Sequence, residues 1–335
     1  MRKLVAMFSL AALALAGCSS GGSSDTPKAG GKPQVLASFY PLQYLTEQIG
    51  KDHIDVSSLT PKGAEPHDLE LAPAQVSTIG KADAVIYLSG FQPSVDKAIT
   101  EVKPDHAYDA ATDANLVAAD HDHDHDHGDH DHGDDHDHGD DHGDHDHGDD
   151  HDHGDDHGDE HAHSNLDPHF WLDPARMADV APKIAATLSA IDPDNAADYE
   201  ANAKTVAESL RELKDSISQG LKTCEKDTIV VAHEAYGYLV SDAHIQQVGL
   251  SGIDPESEPS PATLAAIKKL MAEKHVTTVF TESLINPKAA ETFAKETGAK
   301  TAVLDPLENQ ADDSKDYVAV MKENLEALRS ALECN

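Results

Sequence analysis

The sequence predicts an α/β protein in which two lobes, each with a mostly parallel sheet flanked by helices, are joined by a long rigid backbone helix. Short apolar strands alternate with helical segments in the first half, and the same alternation returns in the second half. One uninterrupted helical pattern lies between the two halves. Such alternation is typical of parallel sheets, and 335 residues suffice for about two domains.

The first half supplies the elements of one lobe. Apolar runs predict strands at 35–38, 54–59 and 84–88. Helical segments are predicted between them, at about 42–49 and 73–80. Each of the first two strands is therefore followed by a helix that can return the chain to the start of a parallel neighbour.

The clearest helix of the sequence begins at Asp192-Pro193-Asp194. Its apolar residues recur at steps of three or four: Tyr199, Ala203, Val206, Leu210, Leu213, Ile217 and Leu221. This spacing places them on one stripe, and a helix over 194–221 would be roughly 40 Å long. A helix of that length can join two lobes.

The second half repeats the pattern of the first. We predict four strands, at 228–232, 245–248, 276–281 and 301–304. The predicted helices are at 261–274, 288–297 and 314–332.

The chain is strongly acidic and rich in histidine. It has 25 Lys and Arg against 62 Asp and Glu, which gives a formal net charge of −37. This charge argues against nucleic-acid binding, which needs basic surface to neutralise phosphate. It also argues against electrostatic docking on anionic lipid. The 23 histidines point instead to metal.

Most of the histidines lie in one tract, residues 120–163, that consists almost entirely of His, Asp and Gly. It cannot bury a core, so we expect it to be disordered without metal and to collect or sense several ions weakly. The alternative is an acidic solvated loop that binds metal only incidentally. Its histidines are His121, His123, His125, His127, His130, His132, His136, His138, His142, His145, His147, His151, His153, His157, His161 and His163.

The N-terminus has the pattern of an export signal. Arg2 and Lys3 precede an apolar run over 4–16 that is too short for a stable membrane span. The run ends in Leu15-Ala16-Gly17-Cys18, which looks like a bacterial lipobox, so we expect Cys18 to be lipidated. The alternative is an ordinary signal peptide. The Gly- and Ser-rich residues that follow predict a flexible tether.

Two further cysteines remain, Cys224 and Cys334. In an exported chain two cysteines favour a disulfide, which here would close a loop of about 110 residues. The alternative is that they bind metal, but no other cysteine lies near either of them in the sequence.

Histidines outside the tract include three in positions suited to a binding site. His67 and His169 lie in loops that contain proline, and His233 directly follows a predicted strand. Asp305 directly follows another predicted strand. Ligands of open α/β sheets bind beyond the carboxyl ends of the strands, so these four residues are candidates for one metal site between two lobes.

Five blocks of the sequence resemble the cluster 9 solute-binding proteins of metal-uptake ABC transporters, most of all the zinc-binding ZnuA/AdcA type. The resemblance covers about 33–335, in the right order. The blocks are Glu65-Pro66-His67-Asp68-Leu69-Glu70, residues 167–174, residues 230–239, Glu258-Pro259-Ser260-Pro261 and Leu304-Asp305-Pro306-Leu307.

The resemblance implies two α/β lobes with the metal in the cleft between them. It carries the ligand role to His67, His169, His233 and Asp305. Glu65 is an alternative fourth ligand, as is water. Three imidazoles and a carboxylate favour tetrahedral Zn²⁺, although a manganese-binding relative is an alternative.

The resemblance also implies a role and partners. We expect an extracytoplasmic, lipid-anchored monomer that captures Zn(II) and delivers it to an ABC permease and its ATPase. A surface zinc buffer or adhesin is an alternative. A metalloenzyme is not expected, because His233-Glu234 is not followed by the second histidine of a zinc hydrolase.

The composition and the resemblance together predict a domain organisation. It consists of a signal peptide (1–17), lipidated Cys18 with its tether (18–32), an N-terminal lobe (33–191) containing the tract (120–163), a linking helix (192–222) and a C-terminal lobe (223–335).

Overall fold

The computed structural model describes residues 31–119, 166–284 and 286–335, and it contains two parallel sheets. The signal peptide, Cys18 and the histidine tract lie outside the described residues, so the predictions about them remain predictions. Residues Lys32–Asn335 cluster as one compact unit. The lobe boundaries at 191/192 and 222/223 also remain predictions.

The N-terminal sheet has the strand order β2-β1-β3-β4, with all neighbours parallel. Its strands are β1 (Gln34–Ala37), β2 (Asp55–Ser58), β3 (Ala84–Tyr87) and β4 (Ala107–Asp109). The central strands β1 and β3 are almost wholly buried, as expected for a parallel sheet covered on both faces. The carboxyl ends of these strands therefore share one edge.

The C-terminal sheet repeats this arrangement in the order β6-β5-β7-β8, again parallel throughout. Its strands are β5 (Thr228–Val231), β6 (Gln246–Gly249), β7 (Thr278–Thr281) and β8 (Lys300–Val303). The predicted fold class is confirmed.

The helices of the described residues begin in ways that their sequences explain. Asp173, Ser260 and Asp316 each accept a hydrogen bond from a backbone N–H in the first turn of the helix that follows. The helices are α1 (Tyr40–Gly50), α2 (Pro73–Ile79), α3 (Pro93–Val102), α4 (Pro174–Ile191), α5 (Ala196–Gly220), α6 (Gly237–Val240), α7 (Pro261–Glu273), α8 (Lys288–Thr297) and α9 (Tyr317–Leu332).

The long helix α5 has 25 residues, and every residue of its predicted apolar stripe is buried. It packs along α4 and also contacts α1 and α9. Helix α4 was not predicted, because three of its eight buried residues are alanines and Pro182 interrupts the pattern. Helices α3 and α6 and the three-residue strand β4 were also not predicted; β4 is too short to show a periodic pattern.

One hydrophobic core extends from the first sheet to the second. Val35 and Ile86 of the first sheet belong to the same buried cluster as Ile229 and Phe280 of the second, with Trp171 among them. Two smaller clusters fill the remaining face of each sheet. Among the described residues, no helix combines the length and apolar character needed to cross a membrane.

Candidate metal centre

His67 lies in the loop that follows β2, and hydrogen bonds from within the loop and from the segment after β3 fix the conformation of this loop. Glu65 accepts hydrogen bonds from the backbone N–H groups of His67 (3.0 Å) and Asp68 (3.1 Å). Gln92, just beyond β3, donates to the carbonyl oxygen of Pro66 (3.2 Å). The ring of Phe91 packs edge-on against the His67 ring, with centroids 4.7 Å apart. Packing and backbone contacts thus fix the position of His67.

His169 is fully buried at the start of a short 3-10 turn that precedes α4. Oδ1 of Asp167 accepts a hydrogen bond from the backbone N–H of His169 and lies 2.8 Å from its Nδ1. A carboxylate on one ring nitrogen orients the ring and leaves the other nitrogen free to bind metal. The Nε2 of His169 is therefore the atom presented to the centre.

His233 lies two residues beyond β5 and is also fully buried. Its Nδ1 is 2.7 Å from Oε1 of Glu282, which directly follows the neighbouring strand β7. Its Nε2 is 3.4 Å from the Nε2 of His169. The carboxyl ends of β5 and β7 thus supply a second pair of carboxylate and imidazole.

Glu308 completes the group. Its Oε1 lies 3.2 Å from Nε2 of His233 and 3.4 Å from Nε2 of both His67 and His169. One ligand atom from each of these four residues lies within 4.8 Å of every other, and this is the single such group found among the described residues. The structure therefore brings three nitrogens and one carboxylate oxygen to one buried point.

Asp305 does not join this group, although it was the expected fourth ligand. Its Oδ1 accepts a hydrogen bond from the backbone N–H of Leu307 (2.8 Å), and Leu307 has a left-handed φ of 60°. This turn carries the chain on to Glu308, whose carboxylate lies beside the three imidazoles. Asn309 then donates to the carbonyl oxygens of Pro61 and Ala64, joining this loop to that of His67.

Glu65, the expected alternative ligand, also lies outside the group, and its two oxygens accept backbone hydrogen bonds from His67 and Asp68. Glu234 accepts a hydrogen bond from the backbone N–H of Gly249 and is not in the group either. The sequence contained one signal for Glu308, a second acid three residues beyond Asp305. Sequence spacing could not distinguish between the two. Glu282 and Asp167 were not identified from the sequence.

The charges of the centre are strongly coupled. Burial opposes a proton on His233, yet Glu282 and Glu308 raise the pKa of this histidine to about 10. The pKa of His169 is also raised, because hydrogen bonds to Asp167 and Glu308 outweigh its burial. The three histidines hold the pKa of Glu308 well below its usual range despite its burial. A cation that binds here therefore displaces protons.

The donor set fits a zinc ion. Three imidazole nitrogens and one carboxylate oxygen are the ligands that tetrahedral Zn²⁺ accepts, and four protein ligands leave no open position for catalysis. Cys224 and Cys334 are not nearby donors, because they form a disulfide that ties the segment after α5 to the C-terminus. Fold and site together define a two-lobed solute-binding protein for a divalent metal.

The comparisons with known proteins agree with this class. Residues 35–331 match the family "Zinc-uptake complex component A periplasmic", and the chain belongs to this family. The chain is 33% identical to the high-affinity zinc uptake system protein ZnuA of Bacillus subtilis, over 99% of this chain and 98% of that protein. It is 30% identical to the zinc-binding lipoprotein AdcA of Streptococcus pneumoniae, but spans only 62% of AdcA.

Solved structures show the same fold. The laminin binding protein Lmb of Streptococcus agalactiae, described as bifunctional with adhesin and metal transporting activity, matches with a TM-score of 0.72 at 28% identity, over 90% of this chain and 100% of Lmb. Zn(II)-bound AdcA of Streptococcus pneumoniae matches with a TM-score of 0.68 at 27% identity, over 90% of this chain and 58% of AdcA. The family serves zinc transport and is not a family of enzymes.

Proposed function

We propose that the chain captures Zn²⁺ outside the cytoplasmic membrane, through His67, His169, His233 and Glu308, and passes it to an ABC permease and its ATPase. The observation that carries this proposal is the convergence of three Nε2 atoms on one carboxylate oxygen, all within 3.4 Å of it. Ligands from both halves of the chain surround the ion, as a captured cargo requires. The match along the whole length of a zinc uptake protein supports the transport role.

The test of binding is the metal content and affinity of the purified protein. We expect one tight zinc per chain in a competition titration against a chromophoric chelator. His233→Ala should abolish tight binding, because it removes a ligand nitrogen. A chain without tight zinc binding would rule out the proposal.

The test of transport is growth under zinc chelation. A strain without this gene should grow poorly, and the wild-type gene should restore growth while the His233→Ala gene should not. Unaffected uptake in the deletion strain would contradict delivery to a permease.

The remaining predictions concern the lipid anchor, the oligomeric state and the histidine tract. We propose that Cys18 carries the lipid anchor, that the chain acts as a monomer and that the tract at 120–163 collects or senses zinc. Labelled fatty acid incorporated by the wild type and not by Cys18→Ala tests the anchor. Sedimentation with and without zinc tests the monomer.

Adhesion is a second candidate function, favoured by the likeness to Lmb. It predicts that the purified chain binds immobilised laminin and that a strain without the gene adheres less. Normal adhesion with impaired zinc uptake would leave transport as the function.

A further inference from the structure

A small pocket adjoins the metal centre and is lined by four acidic side chains. These are Glu65, Glu282, Asp305 and Glu308. Glu308 also belongs to the group of candidate ligands, so the pocket and the centre share this residue as a common wall. Leu284, which also lines the pocket, is 36% exposed, so the pocket reaches the protein surface at this side.

Glu282 contributes an oxygen that the metal centre does not use. Its Oε1 lies against His233, whereas its Oε2 is buried and has no hydrogen-bond partner within the described part of the chain. The side chain of Glu282 is only 2% exposed. An unpaired carboxylate oxygen is costly away from water, and a cation would relieve that cost.

Glu65 and Asp305 add charge to the same space. The backbone hydrogen bonds that they accept leave further lone pairs on each carboxylate. A divalent cation in the pocket would stabilise the charged form of all these groups at once.

The arrangement is nevertheless too loose for a tight site. Of the four carboxylates only Glu308 belongs to a group of potential ligands within 4.8 Å of one another, among the described residues. The pocket has a cavity volume of only about 10 Å³, which is roughly the space that one water molecule needs. Such a space suits an ion that has lost part of its water and is held briefly.

We propose that this pocket is a transit site, in which a partly dehydrated divalent cation pauses between solvent and the centre formed by His67, His169, His233 and Glu308. The proposal depends on the proposed function, because it assumes that zinc reaches that centre. Oxygen ligands of the pocket take the ion first, and Glu308 is bound from the pocket side before the imidazoles complete the coordination. The same path serves release in reverse.

The test is the rate of zinc exchange, measured by stopped flow with a chromophoric chelator. Asp305→Asn removes one pocket charge and keeps the oxygen that accepts from Leu307. We expect both its association and dissociation rate constants to fall by about tenfold, with the dissociation constant nearly unchanged, because a transit site lowers one barrier in both directions. Glu65→Gln should slow both rates as well. Glu296→Gln is the control, because it also removes one negative charge but lies on the exposed surface of α8.

Other outcomes would overturn the proposal in recognisable ways. If only association slows, the acids act by long-range attraction. If dissociation accelerates and affinity falls, Asp305 binds the metal directly. If neither variant changes either rate, the pocket is not on the path. Absence of tight zinc binding by the wild type would instead refute the proposed function itself.

Discussion

Oε1 of Glu282 lies 2.7 Å from Nδ1 of His233, although 49 residues separate the two in the chain. They meet because β5 and β7 are neighbours in the sheet and each residue follows the carboxyl end of its strand. The pair fixes which nitrogen of His233 faces the metal centre. Asp167 does the same for His169 across only two residues.

This contact predicts that Glu282 tunes the zinc affinity of the metal centre although it is not one of the four residues that form it. Glu282→Gln removes the negative charge that stabilises the oriented imidazole, and we expect zinc affinity to fall by about tenfold or more. A competition titration measures the loss. Glu234→Gln is the control, since Glu234 is next to His233 in the chain but outside the metal centre. An equal loss in both variants would contradict the role of Glu282.

The proposal that Glu308 is the fourth ligand predicts a contrast between two acids three residues apart, Glu308 and Asp305. Glu308→Gln removes the carboxylate that faces three imidazoles, so zinc affinity should fall by well over tenfold, that is, by more than about 1.4 kcal/mol of binding free energy. Asp305→Asn should leave the equilibrium affinity nearly unchanged. The same competition titration compares both variants. The reverse order would restore Asp305 as the ligand.

The disulfide between Cys224 and Cys334 predicts a loss of stability when it is removed. It closes a loop across a sequence separation of 110 residues, for which chain entropy gives about 4–5 kcal/mol. The double variant Cys224→Ser/Cys334→Ser should therefore unfold at lower denaturant concentration. Its zinc affinity should be unchanged, because neither cysteine belongs to the metal centre. Loss of affinity at native conditions would mean that the bridge also shapes the site.

The residues on either side of the histidine tract lie next to each other. We therefore predict that the tract can be removed without unfolding the chain. Ala118 and Leu166 form an antiparallel bridge, and the backbone N–H of Asp167 donates to the carbonyl oxygen of Val117 (2.9 Å). Deletion of 120–163 with a short Gly/Ser link should thus keep one tight zinc site by calorimetry and lose only weak sites. Disappearance of the tight site would show that the four-residue centre is not where zinc binds.

The turn between α4 and α5 predicts a pH-dependent stability. Hydrogen bonds from Tyr199 (2.6 Å) and Asn195 lower the pKa of Asp192. A lowered pKa contributes stability above the ordinary pKa of an aspartate, and this contribution is lost as pH falls through the folded-state value. Tyr199→Phe should cost about 1 kcal/mol at pH 7.

The difference between Tyr199→Phe and wild type should narrow as the pH falls below about 4. Denaturant unfolding at several pH values measures it. Asp192→Asn is the control, because it removes the titrating charge and should make the effect of Tyr199→Phe independent of pH. A constant difference in the presence of Asp192 would contradict this account.

The sequence predicted most of the architecture because its strands are short and apolar and its long helix has an unbroken stripe. It missed α4, where alanine and Pro182 weaken the pattern, and β4, which has three residues. At the centre it named the three histidines and Asp305, whereas the residue that the structure groups with these histidines is Glu308. Which of the two acids lies beside the histidines depends on the left-handed backbone conformation of Leu307. Backbone torsion angles cannot be read from the spacing of residues in a sequence.

The core shared by the two sheets has a thermodynamic consequence. Val35 and Ile229 belong to one buried cluster, so separating the lobes would expose it to water. Unfolding should thus be cooperative across both halves, and a ligand that binds only the folded chain stabilises all of it by RT ln(1 + [L]/Kd). Scanning calorimetry would show a single transition that moves upward with free zinc, so the melting temperature reports the fraction of chains in which the centre at His67, His169, His233 and Glu308 is occupied.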